Sequence, residues 1–194
     1  MEREHFLMPP LSKQSEIRII PIDDVDVELL EYLALTLPGS FATPCVIHAE
    51  TLDPRPSYNS ARRQHHSTQL LAQLKAFDQG EGKVLGITEV DLFIPIFTFV
   101  FGEAQVGGSL ALISTHRLQQ QFYGLPEDRD LLFARAEKEA THELGHAFGL
   151  PHCRSLDCVM RFSNSVEDVD LRACYFCQLC EAKLGISSGS TLAA

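Results

Sequence analysis

The sequence predicts an α+β fold with a small, cysteine-rich lobe at its C-terminal end. Three observations carry that expectation. Short apolar runs of strand length alternate with segments of helical spacing through most of the chain. One long segment, residues 127–150, reads as the strongest helix. From Pro151 onward the chain turns irregular, and five of its six cysteines lie there.

Each element follows from its local pattern. Residues 16–22 carry Ile17, Ile19, Ile20 and Ile22 and read as a strand. Asp23 and Asp24 suit a helix start, and residues 25–37 show helical spacing that Pro38-Gly39 is expected to end. Residues 41–48 read as a second strand. Residues 51–66 hold Pro54, Pro56, Ser57, Asn59 and Ser60 and read mainly as loop. Residues 67–77 read as a helix, with Ser67 as N-cap and Leu70, Leu71 and Leu74 as its apolar stripe. Gly80 and Gly82 mark a turn. Residues 83–90 and 97–101 read as strands. Residues 105–113 read as a further strand and a candidate sheet edge. In residues 127–150, Leu131, Ala134, Ala136, Ala140, Leu144 and Ala147 are strong helix formers or apolar.

The size suits one domain, residues 1–194, divided into a segment 1–149 with sheet and long helix and a segment 150–194 with the cysteines. Apolar residues make up 45% and charged residues 22%, which is enough to bury a core. The formal charge is −10, from 16 basic against 26 acidic residues; this argues against nucleic acid and against anionic membranes as partners. The longest apolar stretch, residues 92–101, is broken by Pro95 and falls well short of a membrane span. Residues 1–12 have no apolar run of the signal-peptide kind, so the expected compartment is the cytoplasm, where thiols stay reduced. The chain is expected to act as a monomer.

The segment that carries chemistry runs from His142 to His152 and fits H-E-x-x-H-x-x-G-x-x-H. On a helix, positions i and i+4 share a face, so His142 and His146 can aim two imidazoles at one metal. Glu143 is rotated by about 100° from His142, out of ligand position but within reach of a water at the metal. Gly149 permits a left-handed turn and Pro151 forbids further helix, so the chain can fold back and bring in His152. Three neutral nitrogens leave a fourth position open, the arrangement of a catalytic zinc.

This segment resembles the metzincin zinc peptidases. With Cys153, Cys158-Val159-Met160, Arg161 to Ser165 and Cys177-Gln178-Leu179-Cys180, the chain resembles the archaemetzincin family more narrowly, over roughly residues 83–184. The resemblance implies a zincin-like fold: a mixed twisted sheet, a backing helix, an active-site helix and a zinc-stabilised C-terminal lobe. It also implies two zinc ions, one catalytic and one structural on Cys153, Cys158, Cys177 and Cys180. Met160 would be the methionine of a tight turn beneath the catalytic metal; it reads equally as a core methionine. An edge strand above the cleft would pair with extended substrate, with Gly108, Leu110 and Leu112 as candidates; an ordinary edge strand has the same pattern.

By spacing alone, Cys174-x2-Cys177 is as good a ligand pair as Cys177-x2-Cys180; the resemblance favours the second. Cys45 reads as a small buried hydrophobe. His5, His48, His65, His66 and His116 show no ligand spacing, and Arg62-Arg63 beside His65-His66 reads as a solvated basic patch or a cleft wall. The expected function is hydrolysis of peptide bonds in peptides or protein segments, with a zinc-activated water and Glu143 as general base. Two other classes stay open: a catalytically silent, zinc-stabilised binding module, and a thiol redox protein working through the C-terminal cysteines.

Overall fold

The computed structural model describes residues 15–186. The expectations for residues 1–12, His5 and the tail 187–194 lie outside the described residues. In chain order the elements are β1 Ile17–Ile22, α1 Val27–Phe41, β2 Cys45–Ile47, β3 Tyr58–Asn59, β4 Gln64–His66, α2 Ser67–Gln73, β5 Lys83–Thr88, β6 Leu92–Phe93, β7 Gly102–Ala104, β8 Leu110–Ser114, α3 Arg129–Ala147, α4 Val166–Leu171 and α5 Gln178–Leu184. No helix among the described residues is long and apolar enough to cross a membrane.

The main sheet has the order β2-β1-β5-β8-β7. The pairings are parallel except β7–β8, which is antiparallel. Alternation along each strand feeds two cores. Ile17, Ile19, Leu85, Ile87, Ala111 and Ile113 face α1 and α3; Ile20, Ile22, Val84, Leu110 and Leu112 face Leu70, Leu71 and Leu74 of α2 and the 3-10 turn after it. The larger core also takes in Val159, Met160, Val169, Phe176 and Cys180, so the C-terminal lobe packs on the same interior as the sheet.

Several elements differ from their sequence expectation. Helix α1 runs through Pro38 to Phe41, because Phe41 stacks on Phe148 and meets Phe176 edge-on in the core. Its N-cap is Asp26, whose carboxylate accepts from Glu28 N, and Asp23 instead takes a positive φ of 64°. Ser67 is the first residue of α2, not its cap. Residues 97–101 form no strand: the Phe97 amide turns back onto the Ile94 carbonyl, and the aromatic side chains face a cavity. The candidate edge also moves. Strand β8 is paired on both sides, Leu110 and Leu112 are buried, and the Gly108 carbonyl is taken by Lys83 Nζ. The antiparallel β7 is the edge that remains, so Gly108, Leu110 and Leu112 have no free main chain to offer substrate. Beyond Pro151, two short helices form where irregular chain was expected; Ser165 caps α4 by accepting from Asp168 N.

Candidate metal centre

Helix α3 presents the site. Asp128 caps its N-terminus, and the helix packs on β7 and β8. Its C-terminal half is buried, including His142, Glu143 and His146. Gly149 takes a φ of 96°, and the Leu150 amide returns to the Gly145 carbonyl. That reversal brings His152 back toward the helix. Its ring centroid lies 5.3 Å from that of His142 and 4.7 Å from that of His146.

The hydrogen bonds fix the protons on two of the rings. His142 Nδ1 lies 2.8 Å from the Val159 carbonyl and His146 Nδ1 2.7 Å from the Leu150 carbonyl. A carbonyl can only accept, so with these nearest partners each Nδ1 carries the proton and each Nε2 is a bare lone pair; Arg172 Nη1, an obligate donor, also lies 3.1 Å from His142 Nδ1 but farther off than the Val159 carbonyl. Those two Nε2 atoms face one another at 3.1 Å. Two lone pairs at that distance repel unless a cation sits between them. Tetrahedral coordination at about 2.1 Å puts ligand nitrogens about 3.4 Å apart, close to the observed separation. One ligand atom from each of His142, His146 and His152 lies within 4.8 Å of the others. Burial, then the Arg172 guanidinium, holds His142 well below its ordinary pKa, and burial lowers His146 and His152 too, so the rings stay neutral donors.

Glu143 lies against β7. A Cβ on Gly102 would come within 2.6 Å of the Glu143 Cγ, so the bare backbone there makes room for the carboxylate. Burial, then the neighbouring Glu139 carboxylate, holds Glu143 well above its ordinary pKa. A carboxylate so placed has gained proton affinity, which a general base at neutral pH requires. Met160 lies beneath the helix, where a Cβ on Gly145 would meet its Sδ at 2.4 Å. The cavity over these groups has a volume of about 330 Å³ and is walled by Phe97, Phe99, Phe101 and Phe162.

Sequence reasoning missed two residues. Glu139, one turn before Glu143, pairs with Arg172, which follows α4, and both side chains are almost wholly buried. Arg172 Nη1 also donates to the Arg161 carbonyl and to Ser163 Oγ. It thereby holds the strip carrying Phe162, whose ring stands edge-on to His152 at 5.0 Å. Unlike the other two rings, that of His152 has no carbonyl partner among the described residues. The signal in the sequence was Glu139 at i−4 from Glu143 on a buried face, but no spacing rule points to Arg172.

A second cluster lies close in sequence. Cys153, Cys158, Cys177 and Cys180 bring their sulfurs within 4.8 Å of one another. Cys153 and Cys177 are 3.8 Å apart, and Cys158 and Cys180 3.7 Å. A disulfide needs about 2.05 Å, whereas four thiolates about 2.3 Å from a tetrahedral ion sit about 3.8 Å apart. The Ser155 and Cys177 amides donate to Cys153 and Cys158 sulfurs at 3.4 Å, which suits thiolates. Cys174 is exposed and outside the cluster, and Cys45 packs half-buried at the edge of the core. His48 and His116 are in ring contacts with Phe77 and Phe122, and His65 bonds Ser57 and Pro54.

The chain is similar to several known proteins. The sequence model of peptidase family M54 matches residues 41–185. The archaemetzincin of Methanocaldococcus jannaschii is 45% identical over 168 residues, covering 87% of this chain and 92% of that protein. That of Pyrococcus furiosus is 40% identical over 176 residues, covering 87% and 91%. Among solved structures, archaemetzincin from Archaeoglobus fulgidus, complexed with malonate, superposes with a TM-score of 0.75 at 38% identity, covering 87% of this chain and 99% of that one. A zinc-dependent peptidase from Methanocorpusculum labreanum gives 0.80 at 28% identity, covering 87% and 99%.

Proposed function

The chain belongs to the archaemetzincin family of metallopeptidases, peptidase family M54, and from that premise we propose that His142, His146 and His152 hold a catalytic zinc and Glu143 is the general base. The observation that carries this reading is the pair of bare Nε2 atoms facing each other at 3.1 Å, with a buried carboxylate on the next helical position. When bound, zinc polarises the scissile carbonyl and lowers the pKa of water at the site to about 7. Glu143 accepts a proton from the attacking water and passes it to the leaving amine. The missing side chain at Gly102 leaves room for the Glu143 carboxylate. The free edge of β7 adds an extended peptide as a further strand through main-chain hydrogen bonds, in the role first expected of Gly108, Leu110 and Leu112. The phenylalanine-walled cavity receives an apolar side chain of that peptide.

Cys153, Cys158, Cys177 and Cys180 hold a second, structural zinc in this reading, closed by four thiolates. Such a site needs reduced thiols, in keeping with a cytoplasmic setting. The test is zinc per chain together with turnover. Wild type should carry near two zinc ions, and His146→Ala near one, with the cysteine site still filled. Glu143→Ala should keep wild-type zinc and lose peptide hydrolysis. Zinc bound without hydrolysis of any peptide by the intact chain would instead make the protein a binding module.

A further inference from the structure

Beside the catalytic cavity, across the 94–101 segment, lies a second cavity of about 710 Å³. Thr98 lines both. The second cavity is lined by Arg62, Arg63, Arg117, His65 and His116. Its three guanidinium groups stand out on a chain of net charge −10.

Two carboxylates also face it, so the charges must be balanced one by one. Arg117 takes both oxygens of Asp91, at 2.6 and 2.7 Å, which neutralises that pair. Its guanidinium lies between the rings of Phe99 and Phe122, at 4.4 and 4.6 Å from their centroids. Arg62 has no carboxylate partner among the described residues. It donates to Gln64 Oε1 and to the Phe97 and Thr98 carbonyls, and lies 4.2 Å over the Phe93 ring. Arg63 is exposed, has no ion-pair partner among the described residues, and is held at a φ of 54°, a conformation that non-glycine residues rarely adopt. Glu89 is then the one carboxylate set against two guanidinium charges.

A guanidinium already fixed on an aromatic face has lost its side-chain freedom before any ligand arrives, so an anion binds it at less entropic cost. We propose that this cavity is a subsite for an anionic side chain, carboxylate or phosphate, of the peptide bound in the neighbouring catalytic cavity. The proposal rests on the peptidase reading and narrows its substrates to peptides carrying an acidic group outside the residues flanking the scissile bond.

The test uses the zinc-loaded full chain and a fluorogenic peptide library on a neutral background. One position at a time is fixed as Asp, phosphoserine, Gln or Lys. At one position Asp or phosphoserine should raise kcat/KM about tenfold over Gln, with Lys lowest. Arg63→Glu should collapse that ratio, while Arg55→Glu, the same charge change outside the cavity, should preserve it. A preference for phosphoserine alone would assign the anion as phosphate; a preference for both would assign any carboxylate or phosphate. Absence of an acidic preference at every position, or a preference indifferent to Arg63→Glu, overturns the proposal. A separate arm measures binding of a fluorescent Asp-containing peptide to the Glu143→Ala protein. Binding weakened by Arg63→Glu without any wild-type turnover would sink the peptidase reading and keep the subsite.

Discussion

His142 and His146 are suited to hold a metal by what their other nitrogens do. The Val159 and Leu150 carbonyls accept the two Nδ1 protons and so turn both Nε2 lone pairs inward. Removing the proposed base should be cleanly separable from removing the metal. Glu143→Gln is expected to lower kcat by 10²-fold or more at unchanged zinc content, measured by peptide hydrolysis alongside metal analysis. Arg172 poses a different question at the same scale. Arg172→Met alone leaves Glu139 buried and unpaired and should cost about 3–5 kcal/mol in denaturant unfolding. Removing both charges, in Glu139→Leu/Arg172→Met, should recover most of that stability. If Arg172 also positions the Phe162 strip, the double variant should still bind catalytic zinc more weakly in a chelator competition. Full recovery of zinc affinity would reduce the pair to a stabilising role.

At the scale of elements, the end of α3 decides whether the third histidine arrives. Gly149 sits at a φ of 96°, where a Cβ is strained. Gly149→Ala should therefore destabilise the protein by about 1–2 kcal/mol and loosen zinc through His152, read by thermal unfolding with and without metal. The turn joining the α2 segment to β5 carries its own pH signature. Bonds from Lys75, then Ser109 Oγ and the Gly80 amide, hold Asp78 well below its ordinary value of 3.8. A depressed folded pKa stabilises the protein above the unfolded value and loses that contribution as pH falls through it toward the folded one. Asp78→Asn should accordingly be less stable than wild type by about 2 kcal/mol at pH 7, with the gap closing below pH of about 4. A gap constant from pH 7 to pH 3 would exclude this account.

For the whole molecule, the lobe after Pro151 shares the large core with the sheet yet is built from two short helices and four clustered cysteines. Elements this short depend on neighbours or a metal for order. Prolonged chelation is expected to make residues 153–184 susceptible to protease while the β1–β5–β8 sheet stays intact. Limited proteolysis with mass spectrometry would check it. Simultaneous loss of the sheet would mean that the lobe and the sheet unfold as one unit.

Local pattern by itself determined much of this protein. The strands β1 and β5, the long helix α3, the reversal at Gly149 and the convergence of His142, His146 and His152 were legible because each rests on spacing within a few residues, where backbone periodicity dictates the outcome. Grouping the cysteines took the resemblance as well, since Cys174 and Cys180 fit the spacing equally. The tertiary structure alone decided the rest. Helix α1 outruns Pro38 because Phe41 finds a core; residues 97–101 form a cavity wall instead of a strand; β7, with only three residues, becomes the sheet edge because β8 is paired on both sides. Arg172 reaches Glu139 across 33 positions, and Arg62 and Arg117 meet in one cavity from separate loops. The division has one physical reason. Hydrogen-bond geometry along the chain is set by adjacent residues, whereas burial, edge position and charge pairing depend on what distant segments bring alongside.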